Sequence, residues 1–209
     1  MRNPLNRPLP ALSVAVLLVL SACSGSSPAA PAAAAGLGYT DPASSGWALV
    51  KDASSTPSRL VLNVVGPRGL LTRGVGFNVQ APPGLVFDTF STGLPINDTG
   101  VYQLDSASAA PADPVALVGA LKPGNLLTVG IYQKGRERPA KDSGAALCQI
   151  ALKLDPSAKV AAGQPLPLQV PKAKVIPDDL GSSTDSLYVQ SQKLRMQAIV
   201  LSVGTLTAI

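Results

Sequence analysis

From Gly46 onward, short apolar runs alternate with Gly, Pro, Asn, Asp and Ser, and no amphipathic segment extends beyond three helical turns. This pattern is typical of an all-β domain, because short strands need turn-forming residues between them. The predicted strands, in chain order, are Trp47–Lys51, Leu60–Val65, Val75–Gln80, Leu85–Phe90, Val101–Leu104, Val115–Leu121, Leu126–Lys134, Ala145–Leu154, Leu166–Val170, Ala173–Ile176 and Leu194–Val203.

Two predicted strands alternate clearly enough for their faces to be assigned. In 126–134, one face holds Leu127, Val129 and Ile131, and the other holds Thr128, Tyr132 and Lys134. In 146–154, one face holds Ala146, Cys148, Ile150, Leu152 and Leu154, and the other holds Gln149 and Lys153. Strands with one apolar face predict two antiparallel sheets packed as a β-sandwich, with Cys148 in the core.

The N-terminus has the features of an export signal. Arg2 and Arg7 precede an uncharged apolar run, Ala11–Leu20, which is shorter than the roughly 20 residues that a membrane-spanning helix needs. The next residues complete a motif that resembles the lipobox of bacterial lipoproteins: Leu20, Ser21, Ala22 and Cys23. We therefore expect residues 1–22 to be a lipoprotein signal peptide.

The lipobox resemblance implies that the chain is cut before Cys23 and that the thiol of Cys23 receives a diacylglyceryl group, often with a further acyl chain on the new amine. Two or three acyl chains anchor a protein stably, whereas one binds a membrane only marginally. The residue after the cysteine is Ser24, not the Asp that favours inner-membrane retention. The outer membrane is therefore the expected location in a two-membrane bacterium, with the periplasmic or surface face left open.

Residues 23–36 contain the lipidated cysteine followed by SGSSPAAPAAAAG, which has no charge and no large apolar side chain. We expect a disordered or extended tether, which at about 3.1 Å per residue would reach roughly 40 Å. Residues 37–209 are expected to form one domain, with a C-terminal strand at about 194–203. Residues 1–22 carry two arginines and no acid, so the formal net charge falls from +5 to +3 on cleavage. Export and this small charge argue against nucleic acid as a partner.

Three segments resemble a cohesin-type module: RLVLNVV at 59–65, VGFNVQAPPGLVF at 75–87, and the paired runs LLTVGIYQK and ALCQIALKL within 126–176. The following LDPSAKVAAGQPLPLQVPKAKVIPDDLG is similar to the cohesin ending, which extends the resemblance to about 59–181. It departs from the family at Gln80-Ala81-Pro82-Pro83, where an Asp-Pro is usual. The resemblance implies a jelly-roll sandwich of about nine strands, shared with some carbohydrate-binding modules, and a protein-docking role.

The sequence offers little catalytic chemistry. It contains no histidine, and Glu137 is its only glutamate. The absence of histidine excludes Ser-His-Asp and Cys-His mechanisms and imidazole metal sites. We therefore expect a protein without enzymatic activity and without a cofactor.

The strongest binding surface that the sequence suggests is formed by Tyr132 and the charged link after it, with candidate residues Tyr132, Lys134, Arg136, Arg138 and Lys141. Such a link either docks an acidic partner or is a solvated loop between strands. Weak oxygen ligands for calcium are Asp178, Asp179 and Asp185, although their spacing does not match an EF-hand loop and favours a plain turn.

Three functions follow from these observations. The first is a membrane-anchored, non-enzymatic module that docks a protein partner in the cell envelope. The second is a lipoprotein that binds polysaccharide on an aromatic or polar sheet face. The third is a structural lipoprotein of a secretion or pilus assembly.

Overall fold

The computed structural model describes residues 31–97, 115–133, 140–178 and 196–209, and within these ranges the chain forms strands and no helix. None of the described residues forms a helix that is long and apolar enough to cross a membrane. The strands are β1 (Leu37–Thr40), β2 (Ala48–Lys51), β3 (Leu60–Val65), β4 (Leu71–Gln80), β5 (Leu85–Asp88), β6 (Ile96–Asn97), β7 (Val115–Lys122), β8 (Leu126–Gln133), β9 (Lys141–Asp142), β10 (Cys148–Leu154), β11 (Gln169–Pro177), β12 (Gln197–Ala198) and β13 (Thr205–Ala208).

The strands form two large antiparallel sheets. One sheet has five strands in the order β2-β3-β10-β5, with β6 also paired to β10. The other has six strands in the order β12-β11-β4-β8-β7, with β9 also paired to the beginning of β4. The hairpin between β7 and β8 turns at Gly124 and Asn125, whose φ values of 80° and 61° lie in the left-handed region that these residue types tolerate.

The two sheets pack face to face through one hydrophobic core. The inner face of the six-stranded sheet contributes Val75, Phe77, Val79, Leu127, Val129, Ile131, Ala173 and Val175, and that of the five-stranded sheet contributes Leu49, Leu60, Leu62, Val64, Leu85, Cys148, Ile150 and Leu152, all buried in the same cluster. Gly119 on β7 and Ile96 on β6 show how closely the sheets approach, because a Cβ added to Gly119 would lie 2.6 Å from Cδ1 of Ile96. The predicted antiparallel sandwich is therefore confirmed.

A third, two-stranded sheet joins the beginning and the end of the described domain. β1 pairs with β13, and the preceding residues continue this contact: the backbone N–H groups of Ala35 and Gly36 donate to the carbonyl of Ile209, and that of Ala34 donates to Val160. Residues 31–36 are thus held on the sandwich by backbone hydrogen bonds, although the sequence assigns them to the tether. Apolar content alone does not reveal backbone pairing of this kind.

Most predicted strands are found, with differences at the ends. Leu166–Val170 and Ala173–Ile176 were predicted as two strands, but residues 169–177 form one strand with register shifts at both ends, and Leu166 lies before it. In the described part of the predicted strand 194–203, Gln197–Ala198 pairs with β11 and Ser202 forms an isolated bridge with Ala48, while β13 begins only at Thr205. β1, β6, β9 and β13 were not predicted. The predicted strand Val101–Leu104 lies outside the described residues.

Candidate binding site

The outer face of the five-stranded sheet is covered by polar side chains that bind one another. Asp88 accepts from Arg59 Nε at 2.8 Å and from Lys153 Nζ at 2.7 Å, and the Arg59 guanidinium lies 4.7 Å from the centre of the Phe90 ring. The lysine hydrogen bond, followed by that of the arginine, lowers the pKa of the Asp88 carboxyl. The ionised carboxylate thus joins β5 to β10 and to the residue that precedes β3.

A second network of hydrogen bonds on this face connects residues in or next to four strands. Gln149 Nε2 donates to Asp52 at 3.1 Å and to Asn63 Oδ1 at 3.1 Å, while Asn63 Nδ2 donates to Asp52 at 2.7 Å. Asn97 Nδ2 donates to Gln149 Oε1 at 3.3 Å. Hydrogen bonds from Ser54, and then from Asn63 and Gln149, lower the pKa of Asp52. The charged and amide groups of this face are therefore already satisfied within the chain.

The outer face of the six-stranded sheet is different, because it contains a shallow groove of about 450 Å³ with lysines at its rim. Lys172 and Lys174 lie on one side in β11, and Lys122 lies on the other side in β7. None of these three ammonium groups forms an ion pair or hydrogen bond with a residue that the structure describes, and none of the described lining residues is acidic. The described part of the groove is therefore positively charged.

The register of the strands defines the floor of this groove. Gly76 on β4 pairs with Gly130 on β8, so two residues without side chains lie side by side at the centre of the sheet. Lys174 pairs with Gly76 from the other side of β4. The next row along the strands holds Asn78, paired with Thr128, and both belong to the lining. The floor is thus half-buried glycine backbone followed by a row of polar groups.

The surface predicted around Tyr132 overlaps with this face only in part. Tyr132 is 38% exposed and lies on the outer face of β8, two residues beyond Gly130, as its alternation predicts. Lys141 is half-buried in β9, where it pairs with Thr72 of β4. Lys134, Arg136 and Arg138 lie outside the described residues, so the predicted cluster stays a prediction.

Sequence reasoning missed the lysines and glycines of the groove. Lys172 and Lys174 alternate within PKAKV, and this period of two could have placed both on one face of a strand. The alternation does not predict which strands lie next to these lysines. β11 pairs with β4, which is distant in sequence, and a short local pattern carries no information about such a partner.

The remaining candidates lie elsewhere. Asp178 accepts a hydrogen bond from Arg73 Nε at 2.7 Å, which is an ion pair near the beginning of β4, whereas Asp179 and Asp185 lie outside the described residues. Among the residues that the structure describes, no group of three or more metal-ligating side chains occurs. Cys148 is fully buried and forms no disulfide, in agreement with its predicted place in the core. Cys23 and the lipobox also lie outside the described residues.

No protein-family model and no curated protein matches the sequence. Solved structures similar to this chain include cohesin modules. A cohesin module from a Clostridium perfringens ATCC13124 family 33 glycoside hydrolase gives a TM-score of 0.39 at 10% identity, over 69% of this chain and 85% of that module. Two type II cohesins of Acetivibrio cellulolyticus give 0.43 at 9% identity, over 78% and 94%, and 0.36 at 12% identity, over 66% and 76%. TM-scores under 0.5 do not allow contact residues to be transferred, so the site depends on the geometry of this chain alone.

Proposed function

We propose that this protein is a lipid-anchored, non-enzymatic module of the cell envelope that docks a protein partner on the outer face of its six-stranded sheet. The groove on that face supports the proposal, because Lys122, Lys172 and Lys174 have no ion-pair partner among the described residues and lie around a floor of half-buried backbone. The opposite outer face has its charged groups joined in internal networks, so a partner would have to replace existing hydrogen bonds there.

A polysaccharide ligand is the second candidate. Tyr132 favours it, since this tyrosine is 38% exposed on the same face and its ring offers an apolar surface with a polar tip. Asn78 and Thr128 also line the groove, and their side chains can form hydrogen bonds with the hydroxyl groups of a sugar.

Site-specific photo-crosslinking in intact cells tests the docking face. A crosslinking residue in place of Thr128, in the groove, should capture a partner protein, whereas one in place of Val86, on the outer face of the five-stranded sheet, should not. The charge reversal Lys172→Glu with Lys174→Glu should abolish the product at 128. Equal capture from both positions, or from neither, would contradict docking in the groove.

The anchor is tested at the cysteine itself. Replacing Cys23 with Ser removes the thiol that accepts the diacylglyceryl group, so the variant should incorporate no fatty-acid probe and should leave the membrane fraction or stay uncleaved. Separation of the inner and outer membranes by density should place the wild-type protein in the outer membrane. Label that persists in the variant would show that the N-terminus is not a lipoprotein signal.

A further inference from the structure

Two neighbouring glycines of this face, Gly76 in the lining of the groove and its pair Gly130 beside the lining, are not required by the fold. Neither Gly76 nor Gly130 has a positive φ, so an L-residue is compatible with both backbone conformations. A Cβ added to Gly130 would have no described atom within 4 Å, and one added to Gly76 would meet only the carbonyl oxygen of Val129, at an ordinary 3.5 Å. The described part of the chain therefore leaves room for a side chain at both positions.

Other strand glycines of the same sheet are required by their surroundings. A Cβ on Gly74 would lie 2.5 Å from Cβ of Tyr132, and one on Gly119 would lie 2.6 Å from Ile96. A glycine in a strand interior destabilises the strand relative to alanine. It commonly marks a bulge or a place where a ligand or another backbone approaches closely. The β4–β8 register runs without a shift from Gly74 to Gln80, which excludes a bulge between these strands at Gly76 and Gly130.

The lysines at the rim of the groove indicate that its ligand is negatively charged. Lys172 and Lys174 lie two residues apart on the same face of β11, which corresponds to about 7 Å along an extended strand. Carboxylates at alternate positions of an extended segment have the same spacing. Lys122 supplies a third cation across the floor. Among the lining residues the one aromatic is Phe77, whose side chain is 2% exposed and faces the core, so the floor offers no aromatic surface for a sugar ring.

We infer that the groove binds an extended, acidic segment of a partner protein, with its backbone close to Gly76 and Gly130 and its carboxylates on Lys122, Lys172 and Lys174. This inference depends on the proposed docking function and specifies the chemistry of the partner. Small residues of the segment would lie over the glycines, because the absence of side chains there lets two backbones approach.

Fluorescence anisotropy with the detergent-solubilised full-length protein tests the inference. The probes are labelled (Glu-Gly)4, the uncharged (Gln-Gly)4 and an oligogalacturonate of equal charge. We expect saturable binding of (Glu-Gly)4 that weakens as salt rises, and at least tenfold weaker binding of (Gln-Gly)4. Lys172→Glu with Lys174→Glu should weaken (Glu-Gly)4 binding at least tenfold, whereas Lys51→Glu, an exposed charge reversal on the other sheet, should leave it unchanged.

The glycines are tested by Gly76→Val and Gly130→Val, checked first for an unchanged unfolding midpoint or a higher one. Each should weaken the binding of (Glu-Gly)4 at least tenfold. Equal binding of (Gln-Gly)4, a preference for oligogalacturonate, or full binding by both valine variants would overturn the inference. If crosslinking at position 128 still captures a protein in cells while (Glu-Gly)4 does not bind, the docking function stands and the acidic segment is wrong. Absence of that crosslink contradicts the docking function itself.

Discussion

Alanine at Gly119 and at Gly130 should change the stability of the sandwich in opposite directions. The two glycines lie in neighbouring strands, β7 and β8, and neither has a positive φ. A Cβ at Gly119 would lie 2.6 Å and 2.7 Å from Cδ1 and Cγ1 of Ile96, a side chain with no exposed surface. Overpacking of this kind costs about 1–3 kcal/mol. At Gly130 the added methyl meets no described atom, so the lower entropy of the unfolded chain should stabilise the fold by about 0.4–1 kcal/mol.

Denaturant unfolding of the Cys23→Ser protein measures both effects. Trp47 is the only tryptophan and is buried, so its fluorescence reports the loss of the core. The denaturant concentration at the midpoint of unfolding should fall for Gly119→Ala and rise slightly for Gly130→Ala. The slope of the unfolding free energy against denaturant concentration should not change. Ile96→Val removes the nearest methyl, so it should cost less in the Gly119→Ala background than alone. The packing argument is refuted if Gly119→Ala leaves the free energy of unfolding unchanged, or if Gly130→Ala lowers it by more than about 1 kcal/mol. The second result would also mean that the fold itself requires glycine at position 130.

Two further predictions concern buried polar groups. Burial raises the pKa of Tyr39 to about 12, and its hydroxyl donates to the carbonyl of Leu49 at 2.9 Å and accepts from the N–H of Gly204 at 2.7 Å. Because the folded pKa lies above the ordinary value of 10, this contribution to stability is complete below pH 10 and is lost as the pH rises through 12. Unfolding at a series of pH values should therefore show that Tyr39→Phe loses less stability than the wild type between pH 10 and pH 12. At neutral pH the variant should be about 1–3 kcal/mol less stable. A loss of stability between pH 10 and pH 12 equal to that of the wild type would contradict the raised pKa of Tyr39. In the Cys23→Ser protein, Cys148 is the only thiol, and it should resist a polar alkylating reagent until denaturant is added. Alkylation of the native protein at the denatured rate would show that β10 does not turn this face to the core.

The sequence predicts those parts of the fold in which local alternation and burial coincide. In β8, Leu127, Val129 and Ile131 are buried and Tyr132 is exposed, because the strand has one face in the core and one in solvent. β10 departs from this rule. Ala151 belongs to the outer face, where it pairs with Val61, yet both are buried. Alternation identifies the core face, but it does not reveal that a small residue on the other face is covered by its neighbours.

The strands that were missed depend on partners far away in the chain. β1 is only LGYT, and its pairing with β13 joins residue 37 to residue 208. β9 has two residues, and it forms because Leu71 and Thr72 of β4 provide an edge. Short segments of this kind have no periodicity of their own, so long-range pairing determines them. The groove was missed for the same reason, since β11, β4, β8 and β7 bring its residues together from four separate parts of the sequence.

The contrast between the two outer faces explains why docking should favour one of them. Asp88 already binds two cations, and Asp52 already accepts from Asn63 and Gln149. A partner on that face would gain little from these groups and would leave some unpaired, which costs about 1–3 kcal/mol for each buried group. On the six-stranded sheet, Lys172 and Lys174 have no described ion-pair partner to lose when a carboxylate arrives. If a partner docks as proposed, this face can therefore bind it without breaking the networks of the other face, and Gly76 and Gly130 lie at its centre.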